Sequence, residues 1–335
     1  MRFLLGLIVI AAALWSGYWF VASSSVKGGF ESWFAELQAE GWGAEYADLS
    51  VQGFPNRIDT TFTDLALADP GTGLAWDAPM FQINALSYRP NHVIAVWPED
   101  QRIATPCDTF ALGSTDMRAS LVLGPDSDLT LARLILTANG VAIAPADGSG
   151  TTRVSALRLA AERGPANDAP SYRLGLSADG VAPALPLRIS VDPTGALPDT
   201  LDALNADLTV TFDRPWDRHA IEEARPQPRR IKLRLAEARW GPLELQAAGD
   251  LQVDARGQPT GSITVKARNW RDILDLTVNS GALPPGFTKT LKDGVSLISQ
   301  MAGNPRTLDI PLDFRRGQVF LGPVPLGPAP VVHLR

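Results

Sequence analysis

The pattern of apolar and polar positions divides this chain into one long apolar run and a body in which apolar residues mostly recur at every second position. The run, Phe3–Val21, has 19 residues and no charge. As a helix it would be about 28 Å long, close to the ~30 Å hydrocarbon thickness of a bilayer. The pattern therefore predicts that residues 1–25 form a transmembrane anchor. A signal peptide cleaved near Val21-Ala22-Ser23 is the alternative, because Arg2 precedes the run.

The residues that flank the run predict the side of the membrane on which the body lies. Arg2 and the α-amino group precede the run, and Lys27 follows it. Trp15, Tyr18 and Trp19 gather at its far end, where amphipathic rings prefer the headgroup layer. Because a positively charged leading segment stays inside the cell, we expect a single-pass protein of a bacterial inner membrane. Its body would then lie in the periplasm, and the inner membrane would be its first partner through Phe3–Val21.

Directly after the anchor, residues 26–41 show the period of an amphipathic helix. Phe30, Trp33, Phe34 and Leu37 recur at i, i+3, i+4 and i+7, which places them on one stripe. Gly41 is a residue that commonly ends helices. The stripe predicts a helix that caps one end of a sheet, with a position flat on the membrane as the alternative.

From Glu45 to Ala267 the dominant period is two, which is typical of half-buried strands. Three of these runs place their apolar residues at Leu187, Ile189 and Val191, at Leu208, Val210 and Phe212, and at Ile231, Leu233 and Leu235. Turn-forming sequences separate the runs, among them Asp69-Pro70-Gly71, Asn139-Gly140 and Asp179-Gly180. Strands and helices do not alternate along the chain, so we do not expect a parallel α/β sheet.

Near the end of the chain the period changes to that of helices at about 269–279 and 286–302. The prediction is a mainly β fold, with an N-terminal transmembrane helix followed by a large curved antiparallel β-sheet and a few capping helices. The sheet would be either groove-like or sandwich-like. Residues 42–335 would form one β-rich periplasmic domain.

Composition excludes some classes of protein. The chain is 45% hydrophobic and 20% charged, with a formal net charge of -6, which is a globular rather than a disordered composition. A nucleic-acid-binding protein needs a basic surface, so we expect no nucleic acid partner. No protein partner can be named from composition.

Residues that would carry catalysis or bind a metal are scarce. His92, His219 and His333 are far apart, and Cys107 is the only cysteine. We expect Cys107 to be a small buried residue, with intermolecular pairing as the alternative. No hydrolase elbow, zinc-protease motif or phosphate-binding glycine loop occurs. The sequence therefore predicts no enzyme, no cofactor and no metal site.

One basic cluster precedes a predicted strand. Arg225, Arg229 and Arg230 lie in a polar, proline-containing stretch before the strand at 231–239. We interpret the cluster as a solvated loop. Contact with an anionic headgroup or an acidic partner is the alternative.

Several stretches resemble a known family. The stretch from Trp240 reads WGPLELQAAGDLQVDARGQPTGSITVKARNWRDIL, and the chain closes with LDIPLDFRRGQVFLGPVPLGPAP. Together with FPNRIDTTFTDLALADP and LAWDAPMFQINALSYRPNHVIAVWP, they resemble the domain of unknown function 2125 family of membrane-anchored envelope proteins of alphaproteobacteria. The closing pattern is also similar to AsmA-like proteins. This wider resemblance implies a role in envelope lipid homeostasis or in lipid movement.

A long sheet with one apolar face can serve three functions. If the sheet curls without closing, its apolar face becomes a groove that contacts phospholipid or another envelope lipid. If the face is fully packed, the protein is a structural or scaffold module, and a glycan-binding module with exposed tryptophans is a further alternative. The candidate lipid-contacting residues are Leu208, Val210, Phe212, Ile231, Leu233 and Leu235.

Overall fold

The computed structural model describes residues 1–125, 127–165, 169–222, 225–279 and 307–334. The chain divides into two compact units. Unit 1 comprises Met1–Pro125 and Leu136–Gly148, and unit 2 comprises Asp126–Ile135 and Ser149–Arg335.

Unit 1 consists of one long helix and a series of antiparallel strands. The helix, α1, covers Arg2–Ala39. The strands are β1 Gly43–Glu45, β2 Asp48–Gln52, β3 Arg57–Asp69, β4 Leu74–Leu86, β5 Arg89–Trp97, β6 Asp100–Ala104, β7 Thr109–Gly113, β8 Asp116–Leu123 and the second half of β9 Leu131–Pro145. β3 pairs with β1, β2 and β4, and β4 also pairs with β5 and β6. β5 then pairs with β8, and β7 pairs with β6 and β9.

The core of unit 1 lies between the second half of α1 and the first strands. Phe34 of α1 is 3% exposed and Phe62 of β3 is 2% exposed, and their rings stack at 5.6 Å. Phe30 packs edge-on against Phe62 at 5.2 Å, and Leu37 joins the same cluster. Three of the four residues of the predicted stripe therefore face the sheet, whereas Trp33 is 37% exposed.

Where the pattern predicts an anchor over 1–25 and a separate helix over 26–41, the structure has one continuous helix. The buried residues of α1 are Trp19, Ser23 and Phe34. At 100° per residue these positions lie on one face. The packed face thus extends through the expected boundary, so nothing interrupts the helix there.

Within the described residues, unit 2 is one antiparallel sheet with three short helices. In chain order its strands are the first half of β9, β10 Thr152–Arg163, β11 Ser171–Asp179, β12 Ala203–Phe212, β13 Pro228–Trp240, β14 Leu243–Val253, β15 Pro259–Arg268, β16 Thr307–Arg315, β17 Gln318–Leu321 and β18 Val324–Pro328. Each strand from β10 to β17 pairs antiparallel with the next. The helices are α2 Leu185–Val191, α3 His219–Glu222 and α4 Trp270–Asn279. The predicted mainly β fold, with a large antiparallel sheet and a long apolar N-terminal helix, is confirmed. The second predicted helix, 286–302, lies outside the described residues.

One predicted strand is a helix. The run with Leu187, Ile189 and Val191 forms α2, and Leu187 and Ile189 are exposed. Pro186 lies in the first turn of α2, where its missing N–H costs nothing, whereas a proline in a central strand would remove a ladder hydrogen bond. The alternation of apolar residues was therefore misleading here.

Two further predictions are wrong in detail. Asn139-Gly140 does not join two strands but lies within β9, with Gly140 at a φ of +58°. Cys107 is exposed rather than buried. It lies in the short connection between β6 and β7, where the Thr105 N–H donates to the Asp108 carbonyl at 2.7 Å. Such a tight turn offers no buried position for the Cys107 thiol.

Candidate functional site

The residues predicted to contact lipid lie on β12 and β13 of unit 2. In the antiparallel register, Val210 is opposite Ile231 and Leu208 is opposite Leu233. Directly opposite residues share a face of the sheet. The structure therefore brings these four side chains together on one face.

The same face continues on the flanking strands. Tyr172 and Leu174 of β11 are in register with Val210 and Leu208 of β12. Leu251 of β14 is in register with Ile231. We call this surface the apolar face of unit 2, and its members are Tyr172, Leu174, Leu208, Val210, Ile231, Leu233 and Leu251.

Burial differs along the apolar face. Val210 is 5% exposed and Phe212 is 7% exposed, and both pack with Tyr172, which is 1% exposed. The half-buried members are Leu174, Leu208, Ile231 and Leu233. The Tyr172 end of the face is therefore closed core, whereas the middle of the face is partly accessible.

Leu235 does not share this face. The register between β12 and β13 shifts between Asp207 and Leu208, so Asp207 is opposite Leu235 while Leu208 is opposite Leu233. β13 thus contains one extra residue, a β-bulge that reverses the alternation beyond it. Leu235 is 38% exposed and lies on the same face of the sheet as Asp207. The strict alternation assumed from the sequence is wrong past Leu233.

A glycine explains why Leu233 stays half-buried. Leu233 is opposite Gly249 of β14, which offers no side chain to cover it. A Cβ added at Gly249 would lie 2.6 Å from the Cα of Ile263 on β15. The close approach of β14 and β15 thus requires glycine at this position, and an opening remains beside Leu233.

Tyr172 closes one end of the apolar face through its hydroxyl group. The Tyr172 hydroxyl donates to the Leu131 carbonyl at 3.1 Å and accepts from the Trp216 N–H at 3.3 Å. Burial raises the pKa of Tyr172, and the hydrogen bond from Trp216 partly opposes this. A buried hydroxyl with both partners satisfied stabilises this corner at neutral pH.

The opposite face of the sheet carries ion pairs between neighbouring strands. The Arg173 guanidinium binds Asp207 through two hydrogen bonds of 3.0 and 2.8 Å. Arg230 binds Asp250 in the same way, with a shortest distance of 2.6 Å. These hydrogen bonds, together with the positive charges, hold the pKa values of Asp207 and Asp250 below the ordinary value of 3.8. Unit 2 is therefore an amphipathic sheet with one charged and one apolar face.

The lowered pKa of Asp207 predicts a pH dependence of stability. A carboxylate with a depressed folded-state pKa contributes its stabilisation fully above the unfolded value and loses it as pH falls through the folded value. We expect the melting temperature of the wild type to fall below about pH 4. In Asp207→Asn this decline should be shallower, because one such group is gone. The effect will be small, since the pair is exposed and screened. Melting curves at pH 5, 4 and 3 measure it, and equal slopes for both proteins would contradict it.

Two of the three clustered arginines, Arg229 and Arg230, are engaged with carboxylates in a strand, whereas Arg225 is exposed in the loop before it. β13 begins at Pro228, so Arg229 and Arg230 are strand residues. Arg229 lies 3.4 Å from Asp213, and Arg230 binds Asp250 as above. Arg225 also has an interaction partner. In the described ranges, no group of three His, Cys, Asp or Glu side chains could hold a metal ion.

A second feature, at one end of unit 1, was missed by sequence reasoning. The Trp15 and Trp19 indole N–H groups donate to the Pro55 and Arg57 carbonyls at 3.0 and 2.6 Å. The Tyr18 hydroxyl donates to the Ser87 carbonyl at 2.8 Å. The predicted anchor is thus bound to the body well before its apolar run ends. The sequence does contain a pattern that points to this docking. The buried stripe of α1 continues from Phe34 towards the N-terminus, at helical spacing, to Ser23 and Trp19.

Comparison with known proteins gives a family but no characterised relative. The sequence model of a bacterial family, described as "Uncharacterized protein conserved in bacteria (DUF2125)", matches residues 19–330. The chain belongs to the DUF2125 family. No curated protein and no solved structure matches this DUF2125 protein. The family match begins at Trp19, whose indole binds the body, so it includes the docked part of α1 from that residue onward, whereas Trp15 and Tyr18 precede it.

Proposed function

We propose that this DUF2125 protein is a non-enzymatic, single-pass protein of the bacterial inner membrane that contacts envelope lipid along the apolar face of unit 2. Its body would lie in the periplasm and act in envelope or lipid homeostasis, as the resemblance to alphaproteobacterial and AsmA-like envelope proteins implies. The anchor would be retained. Its Trp15, Tyr18 and Trp19 hydrogen bonds to the body would be lost if a peptidase cut after Ala22.

The observation that carries the lipid proposal is the partly open middle of the apolar face. A sheet with charged pairs on one side presents its apolar side to a core, a partner or a lipid. Leu208, Ile231 and Leu233 are half-buried, although they are large apolar residues in the interior of long strands. An acyl chain is linear and apolar, so it can cover such a row without needing hydrogen bonds.

The packed-core alternative has one observation in its favour. Val210 and Phe212 are buried against Tyr172 and Trp216. At this end the apolar face is buried core, whether or not its middle contacts lipid. A purely structural scaffold would need the middle of the face to be covered equally well by protein.

Leu233 and Leu235 provide a matched pair for testing lipid contact. We expect Leu233→Asp to lower the number of phospholipids bound to the full chain several-fold, because a charge on the apolar face repels acyl chains. Leu235→Asp, two residues away on the charged face, should leave the number unchanged. Native mass spectrometry of detergent-extracted protein counts the bound lipids, and the control accounts for lipid held around α1. Equal lipid numbers in both variants would contradict the proposal.

A further inference from the structure

The length of α1 that is free of the body is too short to cross a bilayer alone. Body contacts begin at Trp15, whose indole binds the Pro55 carbonyl at 3.0 Å. The apolar run before that point, Phe3–Leu14, has 12 residues. It spans about 18 Å as a helix, against about 30 Å of hydrocarbon. If α1 spans the membrane, the end of unit 1 that holds Trp15 must enter the outer layer of the bilayer.

The side chains at that end fit such a position. Phe20 is 61% exposed, Phe54 is 52% exposed and Tyr88 is 60% exposed. The Phe20 and Phe54 rings stack at 5.9 Å, and Trp19 packs edge-on against Phe54 at 5.5 Å. Exposed aromatic residues that cluster beside an apolar helix mark a contact with membrane or protein. Phe and Tyr at such a depth place their rings among headgroups and upper acyl chains.

Basic side chains accompany the aromatic residues. Arg57 begins β3 three residues after Phe54, and its guanidinium, although 58% exposed, is paired with Asp59 at 3.0 Å. Arg89 follows Tyr88 and is also exposed. Guanidinium groups at the membrane surface bind lipid phosphates, whereas a water-facing loop needs no aromatic tip. The combination favours a lipid surface over a second protein.

We propose that residues 53–57 and 86–89 form a bilayer-docking end of unit 1, with Phe54 and Tyr88 inserted in the periplasmic headgroup layer and the exposed Arg89 on a lipid phosphate. α1 holds this end in place through its Trp15, Tyr18 and Trp19 hydrogen bonds to the two loops. The inference rests on the proposed membrane anchoring but not on lipid contact in unit 2.

Depth measurement on the full chain tests this directly. In a Cys107→Ser background, a nitroxide label is attached to Phe54→Cys, Tyr88→Cys or Leu74→Cys in phosphatidylethanolamine–phosphatidylglycerol vesicles. Leu74 is the matched control, because it is 49% exposed and lies at the far end of the β3–β4 hairpin. The 13 residues of β3 separate the two ends by roughly 43 Å. For each label, relaxation of the nitroxide by oxygen, which concentrates in lipid, is compared with its relaxation by a water-soluble nickel chelate.

We expect labels at positions 54 and 88 to be relaxed more by oxygen, and the label at position 74 more by nickel. A label at Ile8→Cys, within the apolar run, separates the two proposals. If position 8 is in lipid but positions 54 and 88 are in water, the docking end is disproved while anchoring stands. If position 8 is also in water, anchoring itself fails. Strong dipolar broadening between labels at position 54 would instead identify a second copy of the chain as the occupant, and would overturn the proposal.

Discussion

Replacement of Phe62 by alanine is expected to lower the free energy of unfolding of unit 1 by about 3–5 kcal/mol. Phe62 is 2% exposed, and its ring contacts Phe30, Phe34, Tyr46 and Phe81. Removing the ring leaves a cavity that the rigid α1 and β3 cannot fill by moving together. The loss should be visible in urea unfolding of the detergent-solubilised chain followed by tryptophan fluorescence.

Met80→Ala is the matched control for Phe62→Ala. Met80 lies on the neighbouring strand β4 and is 42% exposed. Its truncation removes little buried surface, so the free energy of unfolding should change by no more than about 0.5 kcal/mol. Similar losses in both variants would mean that Phe62 is not at the centre of the core.

Val210→Asp is expected to destabilise unit 2 by more than about 4 kcal/mol, because it buries an unpaired charge. Val210 is 5% exposed and packs with Tyr172 and Phe212. The nearby hydroxyl of Tyr172 is already engaged with the Leu131 carbonyl and the Trp216 N–H. Unfolding curves of the full chain, or a loss of folded protein after extraction, would measure the effect.

Thr209→Asp is the control on the other face of the same strand. Thr209 is opposite Arg173 on β11 and Lys232 on β13, so a carboxylate there gains favourable neighbours. We expect it to leave stability nearly unchanged. If Val210→Asp were tolerated as well, the Tyr172 end of the apolar face would be open and not closed. If Leu233→Asp were as damaging as Val210→Asp, the middle of the face would be packed core.

Local periodicity predicted β12 and β13 correctly, but it mistook α2 for a strand and did not predict the faces beyond a bulge. Residues 208–211 of β12 and 230–233 of β13 alternate as the sequence predicts, since both segments lie between the two register shifts of this strand pair. Leu235 follows the same alternation in sequence but lies on the other face. A bulge depends on how β13 pairs with β12 and β14, and that information is not local to β13.

The two ends of α1 illustrate a different limit of prediction from sequence. The stripe from Phe30 to Leu37 was recognised because charged residues surround it. The same stripe at Trp19 is hidden, since no charged residue lies near it and most of its neighbours are also apolar. Phe54 and Tyr88 lie in loops, where no periodicity distinguishes a membrane-facing aromatic residue from an ordinary exposed one. Only their proximity to α1 singles them out.

The continuity of α1 has a mechanical consequence for unit 1. Trp19 and Phe34 are buried on either side of Gly28-Gly29, so the helix is fastened to the strands above and below its most deformable point. Bilayers of different thickness tilt the helices that span them. If α1 spans the bilayer as proposed, such a tilt would be transmitted to the strands of unit 1, which would rotate together with the helix.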